Sequence, residues 1–462
     1  CSGDSILAPL CGAEYRVGRE AKSEFDEEFG LEQADKKTMG MSLMIHCHET
    51  DKVTTFVPPP WAYTFKTDEE MNNKPHMCLT NVNTNFYWIE LGGEMDSIHD
   101  TEIIRDELLK IAFGVWDHMK NHGDHEADNW ELDWIGFLPG KRESRRYVGD
   151  YILTQNDVEN AVVFEDEVAY GGWQLDDHLP GGFFMDGKSG NHLQKRRLKE
   201  PYGIPYRCLY SVNVPNLMFA GRNISATHVA FSSTRVMGTI GIIGQAVGTA
   251  AVIALNNGLS PRQVGEQKIG QLQQMLMEDD CFLPNFRRSP SALSQKAALS
   301  CDYGDCSVLH NGLDRKIWGC DNGYWGRINQ AVTYTLTEKT NITGFRLVFD
   351  SDLDREYIDG NPDLMTISMV ASRKLSYNNT SFGFPRCMIR HFRIEALDDQ
   401  NQWVTVYECE DNHQRLIRES LNITTSALRF IPLATYETDR ITETYGSGQA
   451  HVFSFDIYGG EE

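Results

Sequence analysis

The chain has 462 residues, enough for about three domains of ordinary size. Its formal net charge of −23 argues against nucleic acid or an anionic membrane surface as a partner, because both require clustered lysine and arginine. The 11 cysteines include no CxxC pair, which argues against a zinc ribbon. This pattern predicts reduced thiols in a cytoplasmic protein.

The first half of the sequence mixes charged turns with short apolar runs. It predicts a charged helix over residues 18–32, strands over 38–50 and 86–91, and an amphipathic helix over 100–121. The last of these is the clearest, because its apolar residues recur at helical spacing. They are Ile103, Ile104, Leu108, Ile111, Ala112, Val115 and Trp116.

Residues 212–217 lead into a predicted buried strand over 218–221 that ends in glycine, and an apolar helix follows over 234–256. Gly238, Gly241, Gly244 and Gly248 lie along that helix. Each costs about 1 kcal/mol relative to alanine, so the helix needs bare backbone for a flat ligand or a closely packed strand. The segment is apolar enough for a membrane span, but its glycines and polar residues favour a buried helix. A further helix is predicted from Pro261 to about residue 278.

From about residue 299 the helical periodicity fades and short strands alternate with turns. This pattern is typical of an antiparallel β-sandwich. The predicted strands are 333–336, 344–349, 365–371, 391–396, 403–407, 427–431 and 451–457. The predicted fold class is therefore α/β, with an inserted α+β substrate domain, followed by an all-β domain.

The stretch from Ala220 to Ala251 resembles the C-terminal flavin-binding segment of bacterial FAD-dependent oxidoreductases, relatives of fumarate reductase and glutathione reductase. The AGR-x-IS-ATH loop and the RVM-x-T…GQA-x-GTAA helix carry this resemblance. It implies that Gly221, Arg222 and Asn223 lie along the ribityl or phosphate side of FAD. It also implies that the segment of Arg235, Val236, Met237, Gly238 and Thr239 faces the isoalloxazine ring.

The resemblance extends to the start of the chain and covers about residues 1–260. Ser2, Gly3 and Asp4 match a turn that lies against the dinucleotide in that family, although Ser5 stands where the family has glycine. The family's GxGxxG fingerprint does not occur in this sequence. We therefore expect FAD to bind weakly unless an absent N-terminal segment, or a partner chain, supplies that part. Export is the alternative to a cytoplasmic location, if such a segment carried a signal peptide.

The family motif W-x-x-D-x-H falls on Trp173, Asp176 and His178. Oxidation of an alcohol carbon needs a base for the hydroxyl proton, and histidine suits that role. His178 with Asp176 is the first catalytic candidate, and His228 in the flavin loop is the second. The alternative is a structural histidine that caps a turn. The expected substrate is a small molecule, such as a polyol, a sugar or a hydroxy acid.

No metal site is predicted. His118 and His122 are spaced four residues apart at a helix end, and His46 and His48 share a strand face. Neither pair has an evident third and fourth ligand.

The C-terminal region resembles discoidin-like sandwiches through the turn at residues 311–315. Such modules often bind sugars through their loops, so glycan binding is a further expectation. Trp318, Tyr324 and Trp325 are its candidate stacking residues, and the alternative is that they are core aromatics.

These observations predict five segments: part of an FAD domain (1–36), a substrate domain (37–140), the remainder of both (141–260), a helical linker (261–298) and the sandwich (299–462). Two rivals to the redox enzyme stay open. One is a non-catalytic carbohydrate- or partner-binding protein on a truncated flavoprotein scaffold. The other is a flavoprotein subunit of an electron-transfer complex.

Overall fold

A computed structural model describes residues 3–72, 89–123, 125–185, 192–317, 319–351, 385, 387–436 and 448–460. The chain divides into two compact units. The first contains residues 1–276 and 281–285, and the second contains 277–280 and 286–462.

The first unit combines helices with short antiparallel strand pairs. Its helices are α1 (Leu7–Cys11), α2 (Lys22–Phe25), α3 (Thr101–Asn121), α4 (Gln155–Glu159), α5 (His228–Thr234), α6 (Met237–Asn257) and α7 (Pro261–Glu278). Its strands are β1 (Tyr15–Arg16), β2 (Met41–Leu43), β3 (Ile45–Glu49), β4 (Ile89–Leu91), β5 (Trp130–Ile135), β6 (Arg146–Tyr147), β7 (Glu167–Gly171), β8 (Leu175–His178), β9 (His192–Arg196) and β10 (Tyr202–Pro205). The pairs are β1–β6, β2–β4, β3–β5, β7–β10 and β8–β9.

Several predicted elements of this unit are confirmed and others are wrong. Helices α3 and α7 match their predictions closely. The strand predicted over 38–50 is two strands, because β2 pairs with β4 whereas β3 pairs with β5. Of the strand predicted over 86–91, β4 covers the last three residues, and 86–88 lie outside the described residues.

The charged helix predicted over 18–32 is wrong apart from the four residues of α2. Arg19 instead forms an isolated antiparallel bridge with Asp35, and its Nε donates to Asp35 Oδ1 at 3.0 Å. The buried strand predicted over residues 218–221 is also wrong. The described chain there forms an isolated bridge between Tyr210 and Met218, and Pro215 in between lacks the N–H that a strand ladder needs.

Helix α4 has a complete capping box. Thr154 Oγ1 accepts from Asp157 N at 3.3 Å, and Thr154 N donates to Asp157 Oδ2 at 2.9 Å. We expect Thr154→Ala to lower the free energy of unfolding by about 0.5–2 kcal/mol, because the first turn loses its cap. Urea denaturation would measure the loss. Thr249→Ala, on the partly exposed side of α6, is the control and should change stability less.

The second unit is an antiparallel β structure with one short helix, α8 (Ala292–Lys296). Its strands are β11 (Ala298–Cys301), β12 (Tyr324–Arg327), β13 (Val332–Phe349), β14 (Ile389–Leu397), β15 (Trp403–Cys409), β16 (Leu416–Thr435) and β17 (Gln449–Gly459). They form one sheet in the order β12-β17-β13-β16-β14-β15, and β11 pairs with β13. The predicted all-β fold of this region is confirmed.

Two strands of this sheet are much longer than predicted. β13 has 18 residues and β16 has 20, and register shifts interrupt their pairing. β13 includes both strands predicted over 333–336 and 344–349, and the mostly exposed, polar residues 337–343 between them lack the apolar positions that reveal a strand. The strand predicted over 365–371 lies outside the described residues.

Candidate functional site

The turn at the start of the chain meets the loop after Met218. Arg222 Nη2 donates to Gly3 O at 2.7 Å, and Asn223 Nδ2 donates to Ser5 Oγ at 2.9 Å. A Cβ at Gly3 would lie 2.8 Å from Arg222 Nη2, so a larger residue there would displace the Arg222 side chain from this contact. Two segments that the sequence assigns separately to FAD therefore lie side by side. Ser2 lies outside the described residues.

Positive charges surround Asp4 in this turn. Lys141 Nζ donates to Asp4 Oδ2 at 2.9 Å, and Arg145 Nη1 donates to Asp4 O at 3.0 Å. Burial lowers the pKa of Arg222, whose Nε is buried without a hydrogen-bond partner among the described residues. Gly221, with φ of +116°, adopts a backbone conformation that favours glycine. The arrangement presents nitrogen donors where the resemblance places a dinucleotide.

Helix α6 begins at Met237, three residues later than predicted. Val236 precedes it in an extended conformation (φ −78°, ψ 147°), and the first backbone bond of the helix runs from Ile240 N to Val236 O at 3.1 Å. Met237 is 85% exposed and Gly238 is exposed, whereas Thr239 is buried. The amide-rich end of the helix is therefore open to a ligand.

The glycine face of α6 is open, which corrects the prediction of a buried helix. A Cβ built at Gly238, Gly241, Gly244 or Gly248 would meet no described atom within 4 Å. The opposite face, which includes Ile243 and Ala246, packs into the core. The alternative prediction, that these glycines make room for a closely packed strand, is therefore wrong for the described part of the chain. By length and composition alone, this helix could cross a membrane, and one third of its most apolar window is buried.

His178 lies at the end of β8 and is 5% exposed. Its Nδ1 is 2.9 Å from Glu90 Oε2, and its Nε2 is 3.5 Å from Asp176 Oδ2. Burial alone would lower the pKa of His178, but the carboxylates of Asp176 and Glu90 raise it. Arg142 also contacts Glu90, through Nη2 and Oε1 at 2.5 Å. The first catalytic candidate is therefore held in a buried, charged setting.

Arg235 connects β8, the strand that carries His178, to the start of α6. Its Nη2 donates to Asp176 O at 3.0 Å and is 3.6 Å from Asp176 Oδ2. Burial, and then the neighbouring Arg142, lower the pKa of Arg235 to about 10, so it is still a cation at neutral pH. Its Nε is buried without a hydrogen-bond partner among the described residues.

His228 is clamped between two carboxylates. Its Nδ1 is 3.0 Å from Glu143 Oε1, and its Nε2 is 2.9 Å from Asp177 Oδ1. Burial alone would lower the pKa of His228, but Glu143 and Asp177 raise it to about 10. Arg146 Nη1 donates to the same Glu143 at 2.7 Å. A histidine that holds its proton at neutral pH is a poor base, so this geometry disfavours His228 as a catalytic residue.

The sequence motif pairs His178 with Asp176, but it does not indicate Glu90 as a second partner of His178, nor Glu143 and Asp177 as the partners of His228. Glu90 and Glu143 are fully buried, and Asp177 is 6% exposed. The sequence did offer a signal for Glu90, which lies within an apolar strand candidate. A carboxylate in such a strand is buried only when it is paired, so its presence there predicts a charged partner.

The candidate stacking aromatics of the second unit differ in exposure. Tyr324 is buried and donates to Tyr303 O, which supports the core alternative for this residue. Trp325 is partly exposed, stacks on His451 with ring centroids 4.0 Å apart, and donates to Asp321 Oδ2 at 2.7 Å. Trp318 lies outside the described residues.

Solved structures similar to this chain are carbohydrate-binding modules that match its C-terminal β region. The family 32 module of Streptococcus pneumoniae EndoD is 11% identical, with 36% of this chain and 98% of that chain covered and a TM-score of 0.24. Chitosan-binding module 1 from a Paenibacillus chitosanase/glucanase is 11% identical and has a TM-score of 0.23. That match covers 36% of this chain and 98% of that chain. The fucose binding module SpX-3 of Streptococcus pneumoniae is 8% identical and has a TM-score of 0.24. That match covers 36% of this chain and 97% of that chain.

No curated protein matches the chain. The family model described as FAD dependent oxidoreductase matches residues 1–276, which is more than half of the sequence and includes all the candidate flavin-binding and catalytic residues described above. The chain therefore belongs to the family of FAD dependent oxidoreductases.

Proposed function

We propose that this protein transfers a hydride between a small organic substrate and the N5 atom of bound FAD. The supporting observation is the contact of Arg235 with Asp176 at 3.0 Å. It brings the segment that resembles a flavin-ring contact next to β8, the strand that carries the candidate base, His178. A base and a hydride acceptor must both reach one substrate carbinol, so their proximity favours this reaction.

FAD is the cofactor that family membership implies, and the residues present are suited to it. The open amide end of α6 suits the electron-rich edge of a flavin, and the bare glycine face allows close approach of a flat ring. The buried Nε atoms of Arg222 and Arg235 offer further donors. Bound FAD would supply the hydride acceptor, which no side chain can provide.

In this proposal His178 takes the proton from the substrate hydroxyl. The carboxylate of Glu90 accepts from Nδ1–H and so orients the ring, which makes Nε2 the proton-accepting atom. Arg235 holds the oxygen that becomes a carbonyl, and the buried setting excludes water. A polyol, a sugar or a hydroxy acid has the carbinol that this arrangement requires.

The pyrophosphate of FAD needs a further binding element. We propose that residues outside this sequence supply it, in an N-terminal segment or in a partner chain. The lack of a GxGxxG fingerprint and the open glycine face of α6 support this proposal.

The test is the flavin content of the native assembly. Protein isolated from its own cells should carry FAD, and its flavin absorbance should bleach when a substrate carbinol is added without oxygen. A correctly assembled protein without flavin, or a flavin that no polyol, sugar or hydroxy acid reduces, would contradict the proposal.

Gly238→Leu in the native assembly should lower FAD affinity at least about tenfold, because the side chain would occupy the space of the ring. Gly270→Leu on α7 is the matched control, since a Cβ there also meets no described atom within 4 Å. Both substitutions add helix propensity, so neither should lower thermal stability. Equal FAD affinity in the two variants, measured by flavin fluorescence, would argue against a flavin at this face.

A non-catalytic glycan-binding protein is the alternative, and the partly exposed ring of Trp325 is the described feature that favours it. Binding to a glycan array by a native assembly that holds no flavin would support that reading.

A further inference from the structure

We propose that Asp68, His118 and His125 form a binding site for one divalent transition-metal ion, such as Zn²⁺. His118 lies in the last turn of α3, His125 follows that helix, and Asp68 precedes a short 3-10 turn (Glu69–Met71). The expected lack of a metal site depended on His118 and His122 having no further ligand. His122 pairs with Asp117 at 3.3 Å, and His118 faces different partners.

The ligand atoms are spaced as metal ligands are. His118 Nε2 is 3.1 Å from Asp68 Oδ1 and 3.0 Å from His125 Nε2. One ligand atom from each of the three residues lies within 4.8 Å of the other two. Ligands about 2.0–2.1 Å from a tetrahedral Zn²⁺ lie roughly 3.3 Å apart, which is close to the two distances from His118 Nε2.

The orientation of His118 is fixed by the backbone. Its Nδ1 is 3.0 Å from Phe65 O, and a carbonyl can only accept, so Nδ1 carries a proton. In the neutral ring, the lone pair of Nε2 then points toward Asp68 and His125. A hydrogen bond from Nδ1–H to a backbone carbonyl is the usual way in which a metal-binding histidine is held. Because His118 is 2% exposed, the ring has little room to turn away.

The charges at this point favour a cation. The carboxylate of Asp68 and the Nε2 of His125 both approach His118 Nε2, and a single proton there could serve one of these contacts at a time. A metal ion would accept electron pairs from all three atoms together. The site also lies at the C-terminal end of α3, where the helix dipole stabilises positive charge.

The ligand set indicates the class of metal. Two imidazoles and one carboxylate suit Zn²⁺, Co²⁺ or Ni²⁺, whereas Mg²⁺ and Ca²⁺ prefer oxygen ligands. The Asp68 side chain is 50% exposed, so a water molecule or a small anion can provide the fourth ligand.

The test measures Zn²⁺ and Co²⁺ binding to the purified 462-residue chain and to three variants. We expect about one equivalent of Zn²⁺ per chain after gel filtration, and a Co²⁺ complex with tetrahedral d–d absorption. His125→Gln and Asp68→Asn should weaken Zn²⁺ binding by about 100-fold or more, beyond the roughly 10–100-fold effect of losing a partner that only orients a ligand. These two residues are less buried than His118, so the variants should keep the fold, which circular dichroism would check.

His122→Gln is the matched control, since it removes a histidine one turn away, and its Zn²⁺ affinity should stay within about twofold of the unmodified chain. Three results would overturn the proposal. They are a chain that retains no metal at micromolar Zn²⁺, ligand variants that bind as the unmodified chain does, and a Co²⁺ spectrum with a thiolate charge-transfer band, which would place the ion on cysteines.

Discussion

Replacing His228 with alanine should lower the free energy of unfolding by about 3–5 kcal/mol, because Glu143 and Asp177 would lose the cation between them. All three side chains are almost completely buried, so water cannot replace the lost partner. Urea denaturation, followed by a spectroscopic signal from the first unit, would measure the change. The control is His99→Ala. That exposed histidine contacts Asp96 at the surface, so its replacement should lower the free energy of unfolding much less.

The same histidine should make stability depend on pH. Its pKa is about 10 in the folded chain, compared with 6.5 as its ordinary value. A group whose folded pKa is raised contributes stability that is fully present below the unfolded pKa and is lost as pH rises through the folded pKa. The chain should therefore become less stable between pH 6.5 and about 10. If His228→Gln shows the same slope in this window, the two carboxylates do not hold a protonated His228.

Replacing His178 with glutamine should lower kcat of the native assembly by about 100- to 10,000-fold, because the substrate hydroxyl would lose its base. FAD affinity and thermal stability should change far less than kcat. His48→Gln is the matched control, since that side chain is 46% exposed on a different strand. A loss of kcat below about tenfold would remove His178 from the role of general base.

The pH profile separates a base from a structural residue. Because Asp176 and Glu90 raise the pKa of His178 against the effect of burial, kcat/KM should fall on the acid side with a midpoint above 6.5. Glu90→Gln removes one carboxylate that raises this pKa, so the midpoint should move to lower pH. A midpoint that does not move would show that Glu90 does not tune the proton acceptor.

Local sequence patterns predicted the elements that are set by local periodicity. Helices α3 and α7 follow from apolar spacing and from Pro261, and the resemblance joined the turn at Gly3 with the loop at Arg222. The helix predicted over 18–32 failed because isolated bridges between Arg19 and Asp35 and between Ala21 and Leu31 override local helix propensity. The full length of β13 was missed because residues 337–343, between its two predicted parts, are mostly polar and exposed and show no apolar alternation.

The charged partners in the site depend on tertiary contacts that no local pattern encodes. Glu90 and His178 are 88 positions apart, and Glu143 and His228 are 85 apart. The same limit applies to the proposed metal site, since His118 and His122 share a helix spacing but pair with different residues. The spacing of residues along the chain was enough to identify the histidines, but only the tertiary structure shows which residues they contact.

The contact between Ser5 and Asn223 constrains how this protein can evolve. Ser5 has φ of +51°, a conformation that glycine adopts more easily, and Asn223 Nδ2 donates to its hydroxyl. A change of Ser5 to glycine would relax the backbone but deprive a buried amide of its acceptor. Substitutions at these two positions, 218 residues apart, should therefore appear together when homologues diverge.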